Sequence, residues 1–134
     1  MSKSLSDTSI LIIEDDENSL LVTQRLLQLA GAMHITAFPS GAAALAGLSQ
    51  PVDLVLLDIQ LGAEDGCEVL AQLRQDTRFA SAIMVALTAN VLPQDVQQAR
   101  EAGFDSLIGK PLNFERFGEQ IQRALEGEHV WQTR

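Results

Sequence analysis

Residues 10–17 read ILIIEDDE, four aliphatic side chains followed directly by four carboxylic acids. An apolar run without alternation is typical of a strand that is buried on both faces of a parallel sheet. The abrupt change to acidic residues predicts that the four acids stand at the carboxyl end of this strand. Clustered carboxylates are costly unless a cation completes them, so this cluster indicates a binding site rather than a solvated surface.

Three further apolar runs end in polar residues in the same way. Residues 54–58 read LVLLD, residues 83–88 read IMVALT and residues 107–111 read LIGKP. If the four runs are neighbouring parallel strands, their carboxyl ends meet at one edge of the sheet, where open α/β sheets bind ligands. That edge would then present Glu14, Asp15, Asp58, Thr88 and Lys110.

The chain alternates these apolar runs with amphipathic stretches of helical period. This alternation predicts one doubly wound α/β domain with right-handed crossovers. A length of 134 residues suits a single domain, and a hydrophobic content of 46% is enough for its core. We expect strands at about 9–14, 33–38, 53–58, 82–88 and 104–108.

Five helices are expected between and after these strands. For the first helix, Val22, Leu26, Leu29 and Ala30 follow a helical period, and Gly31 is the expected stop. The fifth helix is expected to begin at Asn113 and to bury one apolar stripe, formed by Phe114, Phe117, Ile121, Ala124 and Leu125.

The composition limits the classes of partner. A net charge of −9, with no run of lysine or arginine, disfavours direct binding to nucleic acid or to an anionic membrane surface. No apolar stretch is long enough to span a bilayer, and residues 1–9 lack the apolar segment of a secretory signal. The single cysteine, Cys67, fits a reducing compartment, so a cytoplasmic location is the expectation.

The chain is expected to divide into a polar leader at residues 1–8, a folded domain at residues 9–126 and a tail or linker remnant at residues 127–134. It has only two lysines, Lys3 in the leader and Lys110 in the folded domain. A compact ammonium differs chemically from the guanidinium that this chain uses elsewhere, which makes Lys110 a candidate site residue.

The expected cluster has the chemistry needed for phosphoryl transfer. Hard oxygen ligands suit Mg²⁺, which takes one or two carboxylates and keeps several waters. A carboxylate can also attack phosphorus as a nucleophile. The cation and a lysine can neutralise charge on the transferred group, and a hydroxyl can donate a hydrogen bond to it.

Taken together, these residues resemble the receiver domain of bacterial two-component signalling, the chemotaxis-type response-regulator fold. The resemblance covers about residues 9–125 and implies a flavodoxin-like, five-stranded parallel sheet of order 2-1-3-4-5 with five helices. Each matching segment is short, but all of them occur in order at the expected strand ends. The segments are Ile12-Ile13-Glu14-Asp15-Asp16, Leu56-Leu57-Asp58-Ile59, Asp65-Gly66, Leu87-Thr88-Ala89, Ala102-Gly103 and Lys110-Pro111.

The resemblance implies a role for each candidate residue. Asp58 would be the phosphoacceptor, and Lys110 would pair with the phosphoryl oxygens. The Lys110–Pro111 peptide bond would be cis. Thr88 would donate its hydroxyl to the phosphoryl group, helped by the Ala89 amide. The implied Mg²⁺ ligands are Glu14 (mostly through water), Asp15, Asp58 and the backbone carbonyl of Gln60.

The function implied is a switch rather than an enzyme that turns over a separate substrate. Such a domain takes a phosphoryl group from a sensor histidine kinase, a histidine phosphotransfer protein or acetyl phosphate, and it catalyses only its own phosphorylation and dephosphorylation. It then changes the face around its fourth helix, fifth strand and fifth helix, which alters binding to a target protein or a linked output domain.

The sequence departs from the family pattern in two places. Leu107 stands where the family often has an aromatic switch, and the chain has no tyrosine. We therefore expect modest repacking of Leu107, with the signal transmitted mainly by the loop at 88–92. Gly62 stands where many relatives have proline, which predicts more backbone freedom in the loop after Asp58.

Two other functions use similar chemistry. A phosphohydrolase of the haloacid-dehalogenase type also has an aspartyl nucleophile and Mg²⁺, but that nucleophile ends the first strand, a second Asp follows two residues later, and a cap module is present. A flavodoxin-like cofactor binder would need Ser, Thr and Gly in the first loop, where residues 14–17 instead place four acids that repel phosphate unless a metal intervenes.

Overall fold

The computed structural model describes residues 4–62 and 64–132, and its strands lie close to the predicted positions. The eight strands of the described chain are β1 Ser9–Ile13, β2 His34–Phe38, β3 Leu54–Asp58, β4 Gln60–Leu61, β5 Glu64–Asp65, β6 Ile83–Thr88, β7 Ser106–Gly109 and β8 Trp131–Gln132.

The main sheet has the order β2-β1-β3-β6-β7-β8, and its pairings are parallel. The predicted order 2-1-3-4-5 is thus confirmed for the five principal strands, and β8 extends the sheet beyond β7. Strands β4 and β5 form a separate antiparallel hairpin directly after β3. The carboxyl ends of β1, β3, β6 and β7 therefore lie side by side.

Five α-helices connect the strands, as predicted, and side chains at strand ends cap three of them. Asp16 accepts a hydrogen bond from the Ser19 amide, Ser40 from the Ala43 amide and Asp65 from the Cys67 amide. Each cap satisfies a free amide in a first turn. The helices are α1 Glu17–Leu29, α2 Gly41–Gly47, α3 Gly66–Arg74, α4 Pro93–Ala102 and α5 Phe117–Leu125.

The core has two parts, one on each face of the sheet. One part packs α2, α3 and α4 against the sheet and includes Leu57, Leu70 and Phe79. The other packs α1 and α5 and includes Leu27 and Phe117. Burying one such side chain contributes about 1.5–3 kcal/mol. Helices on both faces explain why β3 is apolar along its whole length up to Asp58.

Two helix predictions were wrong in detail. In α1 the buried positions are Thr23, Leu26 and Leu27, whereas Val22 is 52% exposed and Leu29 is 66% exposed. A leucine-rich helix has more than one apolar stripe. The stripe that α1 buries against α5 is not the one that the sequence indicated.

The fifth helix begins at Phe117 and not at Asn113. The Asn113 side chain instead accepts hydrogen bonds from the amides of Glu115 and Arg116, which form a turn before the helix. Phe114 therefore lies outside the helix, and it is 74% exposed instead of buried.

The segments outside the predicted domain, as far as they are described, also pack on it. Leu5, in a 3₁₀ turn at Leu5–Asp7, is buried against the α1 and α5 face. Val130 is buried and β8 pairs with β7, so residues 131–132 add an edge strand to the sheet directly after a buried side chain. Lys3, which was placed in the leader, lies outside the described residues. Among the described helices, none has the length and apolar character required to cross a membrane.

Candidate functional site

Three of the predicted site residues meet directly at the carboxyl edge of the sheet. The Lys110 ammonium donates hydrogen bonds to Asp58 Oδ2 at 2.6 Å and to Glu14 Oε1 at 2.8 Å. Asp58 is 6% exposed and Glu14 is 4% exposed. A cation from the β7–α5 loop thus bridges two buried carboxylates that follow β1 and end β3.

The pKa values of this group reflect burial and charge pairing. Burial raises the pKa of Glu14, although its hydrogen bond to Lys110 acts in the opposite direction. Burial acts to lower the pKa of Lys110, but its hydrogen bonds to Asp58 and Glu14 outweigh this and raise it. Lys110 is therefore a fixed positive charge at neutral pH, placed directly against Asp58.

The loop after Asp58 is held close to the carboxylate. Asp58 Oδ1 accepts a hydrogen bond from the Gln60 amide at 2.8 Å. Gly62 has φ +42°, which proline cannot adopt because its ring fixes φ near −65°. A β-carbon at Gly62 would lie 2.8 Å from Asp15 Oδ2, so glycine lets the loop approach this exposed carboxylate.

Thr88, the last residue of β6, supplies the hydroxyl at this edge of the sheet. Thr88 is 1% exposed, and its Oγ1 accepts a hydrogen bond from the Asn90 amide at 3.0 Å. The Thr88 carbonyl accepts from the Lys110 amide at 2.8 Å, which ties the two loops together. Ala89 is exposed beside them. The Lys110–Pro111 peptide bond is cis, as predicted.

The acidic oxygens at this edge suit a small hard cation such as Mg²⁺. Among residues 4–62 and 64–132, no three acidic, histidine or cysteine side chains form a ready metal site. Mg²⁺ does not need such a cage, because it usually binds through one or two carboxylates and retains several waters. The donor chemistry is therefore compatible with Mg²⁺, and the ligand set Glu14, Asp15, Asp58 and Gln60 remains a prediction.

A cavity next to Lys110 was not anticipated from the sequence. It has a volume of about 530 Å³ and lies between the first half of α1 and the loop after β7, which both line it. A second cavity of about 350 Å³ adjoins it along α1 and reaches Phe114. Val22 lines both cavities. The only sequence signal for this surface was an apolar side chain at Val22 and at Phe114, and the helical period assigned both to the core.

Comparison with known proteins gives a consistent result. A family model described as the response regulator receiver domain matches residues 10–122. The polar-differentiation response regulator DivK of Brucella ovis is 33% identical over 118 residues, which covers 87% of this chain and 95% of that protein.

Solved structures show the same architecture. The chemotaxis response regulator CheY4 of Vibrio cholerae has a TM-score of 0.78 at 22% identity, over 87% of this chain and 98% of that one. A BeF3-activated DrrB receiver domain has a TM-score of 0.76 at 26% identity, over 89% and 97%. The Mn²⁺-bound form of the response regulator Rcp1 has a TM-score of 0.70 at 27% identity, over 86% and 89%.

Proposed function

The chain belongs to the response regulator receiver domain family, and from this we propose that it is a phosphorylation-controlled switch whose acceptor is Asp58. The observation that supports this most directly is the Lys110 ammonium, 2.6 Å from a buried Asp58 at the end of β3. A buried carboxylate in contact with a fixed cation is poised to receive a group that brings additional negative charge.

In the proposed reaction a carboxylate oxygen of Asp58 attacks the phosphorus of the donor. An acyl phosphate forms, and the bond from phosphorus to the donor's imidazole nitrogen, or to the acetate oxygen of acetyl phosphate, breaks with its electron pair on the leaving group. Lys110 then exchanges part of its contact with Asp58 for the phosphoryl oxygens. Thr88 turns its hydroxyl from the Asn90 amide toward the same group.

We propose that the reaction requires Mg²⁺ held by Asp15, Asp58, the Gln60 carbonyl and, through water, Glu14. When bound, the cation neutralises charge on the transferring phosphoryl oxygens. The Mn²⁺-bound form of the similar protein Rcp1 supports a divalent cation in this type of domain. Glu14 and Asp58 are buried, and the Lys110 ammonium holds one oxygen of each carboxylate in place.

The phosphoryl donor is proposed to be a histidine kinase or phosphotransfer protein that docks on α1 and the loop after β7. Leu21, Val22 and Phe114 are exposed apolar side chains there, at 63%, 52% and 74%. All three line the smaller of the two cavities, and Val22 also lines the larger one, which reaches Lys110. A protein that brings a phosphohistidine to Asp58 must cover the surface around this opening, which makes this patch its footprint.

The footprint predicts a selective defect. Replacing Val22 and Phe114 together by serine is expected to slow transfer from a phosphorylated donor protein by about tenfold or more, because apolar anchors are lost. The rate with acetyl phosphate should not change, since this small donor does not use the patch. Leu29→Ser is the control, because Leu29 is also an exposed apolar residue of α1, at 66%, but it is the last residue of the helix, whereas Val22 lies in its middle. Equal losses with both donors would contradict the footprint.

The reaction itself is tested with the wild-type chain. Incubation with Mg²⁺ and acetyl phosphate is expected to add one phosphoryl group, detected by intact mass, and chelation of the metal with EDTA is expected to prevent it. Multiple turnover of para-nitrophenyl phosphate without a stable labelled protein would instead indicate the phosphohydrolase alternative. Failure to label with Mg²⁺ present would contradict the proposal.

A further inference from the structure

Residues 128–132 bind to the sheet through side chains on both of its faces. Val130 is 2% exposed and packs in the core part formed with α1 and α5. The next residue, Trp131, packs against the opposite core part, which includes Ala99 of α4 and Leu107 of β7. Consecutive side chains of a strand point to opposite faces, so two adjacent apolar residues are enough to attach this segment.

The hydrogen bonds of His129 and Val130 reach β7 or the residue before it, while Glu128 also bonds to Arg123 of α5. The Leu107 amide donates to the Val130 carbonyl at 2.7 Å, and the Val130 amide donates to Ser106 Oγ at 2.9 Å. His129 Nδ1 donates to the Asp105 carbonyl at 2.8 Å. Three residues after Leu107, the same strand leads into Lys110, which contacts Asp58.

Trp131 also contacts the helix that follows Thr88. The Arg100 guanidinium of α4 lies 4.6 Å from the centre of the indole ring, within the range of a cation–π contact. The loop at 89–92 joins α4 to Thr88. The segment therefore touches two elements connected to the candidate site: β7, which leads into Lys110, through its backbone, and α4, which follows Thr88, through Trp131.

We propose that residues 128–132 are a latch that closes the surface between α4 and the edge of β7 in the unphosphorylated protein and is released when Asp58 is phosphorylated. This inference rests on the proposed function. When Thr88 turns its hydroxyl toward the phosphoryl group, it gives up the bond from the Asn90 amide, and the start of α4 is free to shift. Arg100 moves with α4, which weakens its contact with Trp131.

The latch is a small element, and for that reason a modest coupling can move it. Its strand has two residues, Trp131 and Gln132, paired with Leu107 and Ile108. Short elements at the edge of a sheet open far more readily than central strands of a core, and β8 is such an edge strand. Typical coupling between two sites in a protein changes an equilibrium by about 5- to 150-fold, which is sufficient to shift such an element.

The latch can be tested by the fluorescence of Trp131, which belongs to it. Trp131 is the single tryptophan, and tyrosine is absent from the sequence, so emission reports on the latch alone. After labelling with Mg²⁺ and acetyl phosphate, verified by intact mass, acrylamide quenching of Trp131 is expected to rise severalfold. Exchange of the Leu107 amide with solvent is expected to accelerate by about 5- to 150-fold. The Asp58→Asn variant treated in the same way should show neither change.

A second variant tests the reciprocal effect. Arg100→Gln removes the cation over Trp131 and should raise both quenching and Leu107 exchange before any labelling, and it should increase the labelled fraction at a fixed acetyl phosphate concentration. Arg116→Gln removes the same charge from the residue before α5, and it should leave all three unchanged because acetyl phosphate does not use the surface on which a donor protein docks.

Each result decides between the two ideas. Labelled protein with unchanged quenching and exchange overturns the latch and leaves the proposed function intact. Stronger protection of Leu107 after labelling also overturns the latch. If the wild type takes up no phosphoryl group at all, the proposed function fails and the latch fails with it.

Discussion

Asp58→Asn is expected to abolish phosphoryl uptake completely. An amide oxygen is a far weaker nucleophile than a carboxylate and cannot form a stable acyl phosphate. The fold should persist, because the amide retains an oxygen that can accept from the Gln60 amide, and Lys110 keeps its bond to Glu14. The measurement is intact mass after incubation with Mg²⁺ and acetyl phosphate, together with thermal unfolding of both proteins.

The matched control for this variant is Asp16→Asn. Asp16 belongs to the same acidic run, but it is exposed, and its carboxylate caps α1 by accepting from the Ser19 amide, which lowers its pKa. Asparagine is an equally good cap. We therefore expect normal labelling of Asp16→Asn. Labelling of Asp58→Asn, or loss of labelling in the control, would place the acceptor elsewhere.

Lys110→Met is expected to give the second largest effect, because it removes the one cation between two buried carboxylates. Uptake of the phosphoryl group should slow by about 10²–10³-fold, the range found when a charge-stabilising donor is removed from an active site. The free energy of unfolding at neutral pH should fall by about 1–3 kcal/mol, since Asp58 and Glu14 lose a hydrogen-bond donor. Initial labelling rates and urea unfolding measure the two effects.

The stability loss should depend on pH in a defined direction. The pKa of Lys110 is raised in the fold, so its contribution is fully present at neutral pH and would be lost only as pH rises through that value. In the variant, the pKa of Glu14 no longer has the lowering effect of Lys110 and rises further above its ordinary range. A carboxyl with a raised folded pKa favours the folded state as pH falls, so the variant should regain stability on acidification relative to wild type.

An exposed arginine provides the control for this second prediction. Arg116→Met also exchanges a cation for an apolar side chain, but at an exposed position where charge contributes little to stability. It should leave both the labelling rate and the pH dependence of unfolding unchanged. A Lys110→Met protein that labels at the wild-type rate would remove Lys110 from the proposed reaction.

The central part of the fold could be predicted from short segments. Unbroken apolar runs at 10–13 and 54–57 identify strands buried on both faces, and each ends at the acid that the structure places at the sheet edge. The local pattern was informative because such strands need apolar residues at every position. The family resemblance added the strand order and the cis bond before Pro111, and both are present.

Helix faces and the ends of the chain were less predictable. Val22 and Phe114 follow a helical period with buried neighbours, yet both are exposed beside the candidate site. Val130 and Trp131 were placed in a tail or linker remnant, whereas Val130 is buried and Trp131 begins a strand at the edge of the sheet. An apolar side chain can be buried at low cost, but whether it is buried depends on which other parts of the fold pack against it.

The sequence by itself determined which residues form the five principal strands and which polar side chains stand at their carboxyl ends, because these features depend on neighbours along the chain. Only the tertiary structure decided that Lys110 binds both Glu14 and Asp58, from 96 and 52 positions away, and that Trp131 lies against Arg100. Contacts of this kind depend on the positions of whole strands and helices in space, and those positions result from the packing of the complete core.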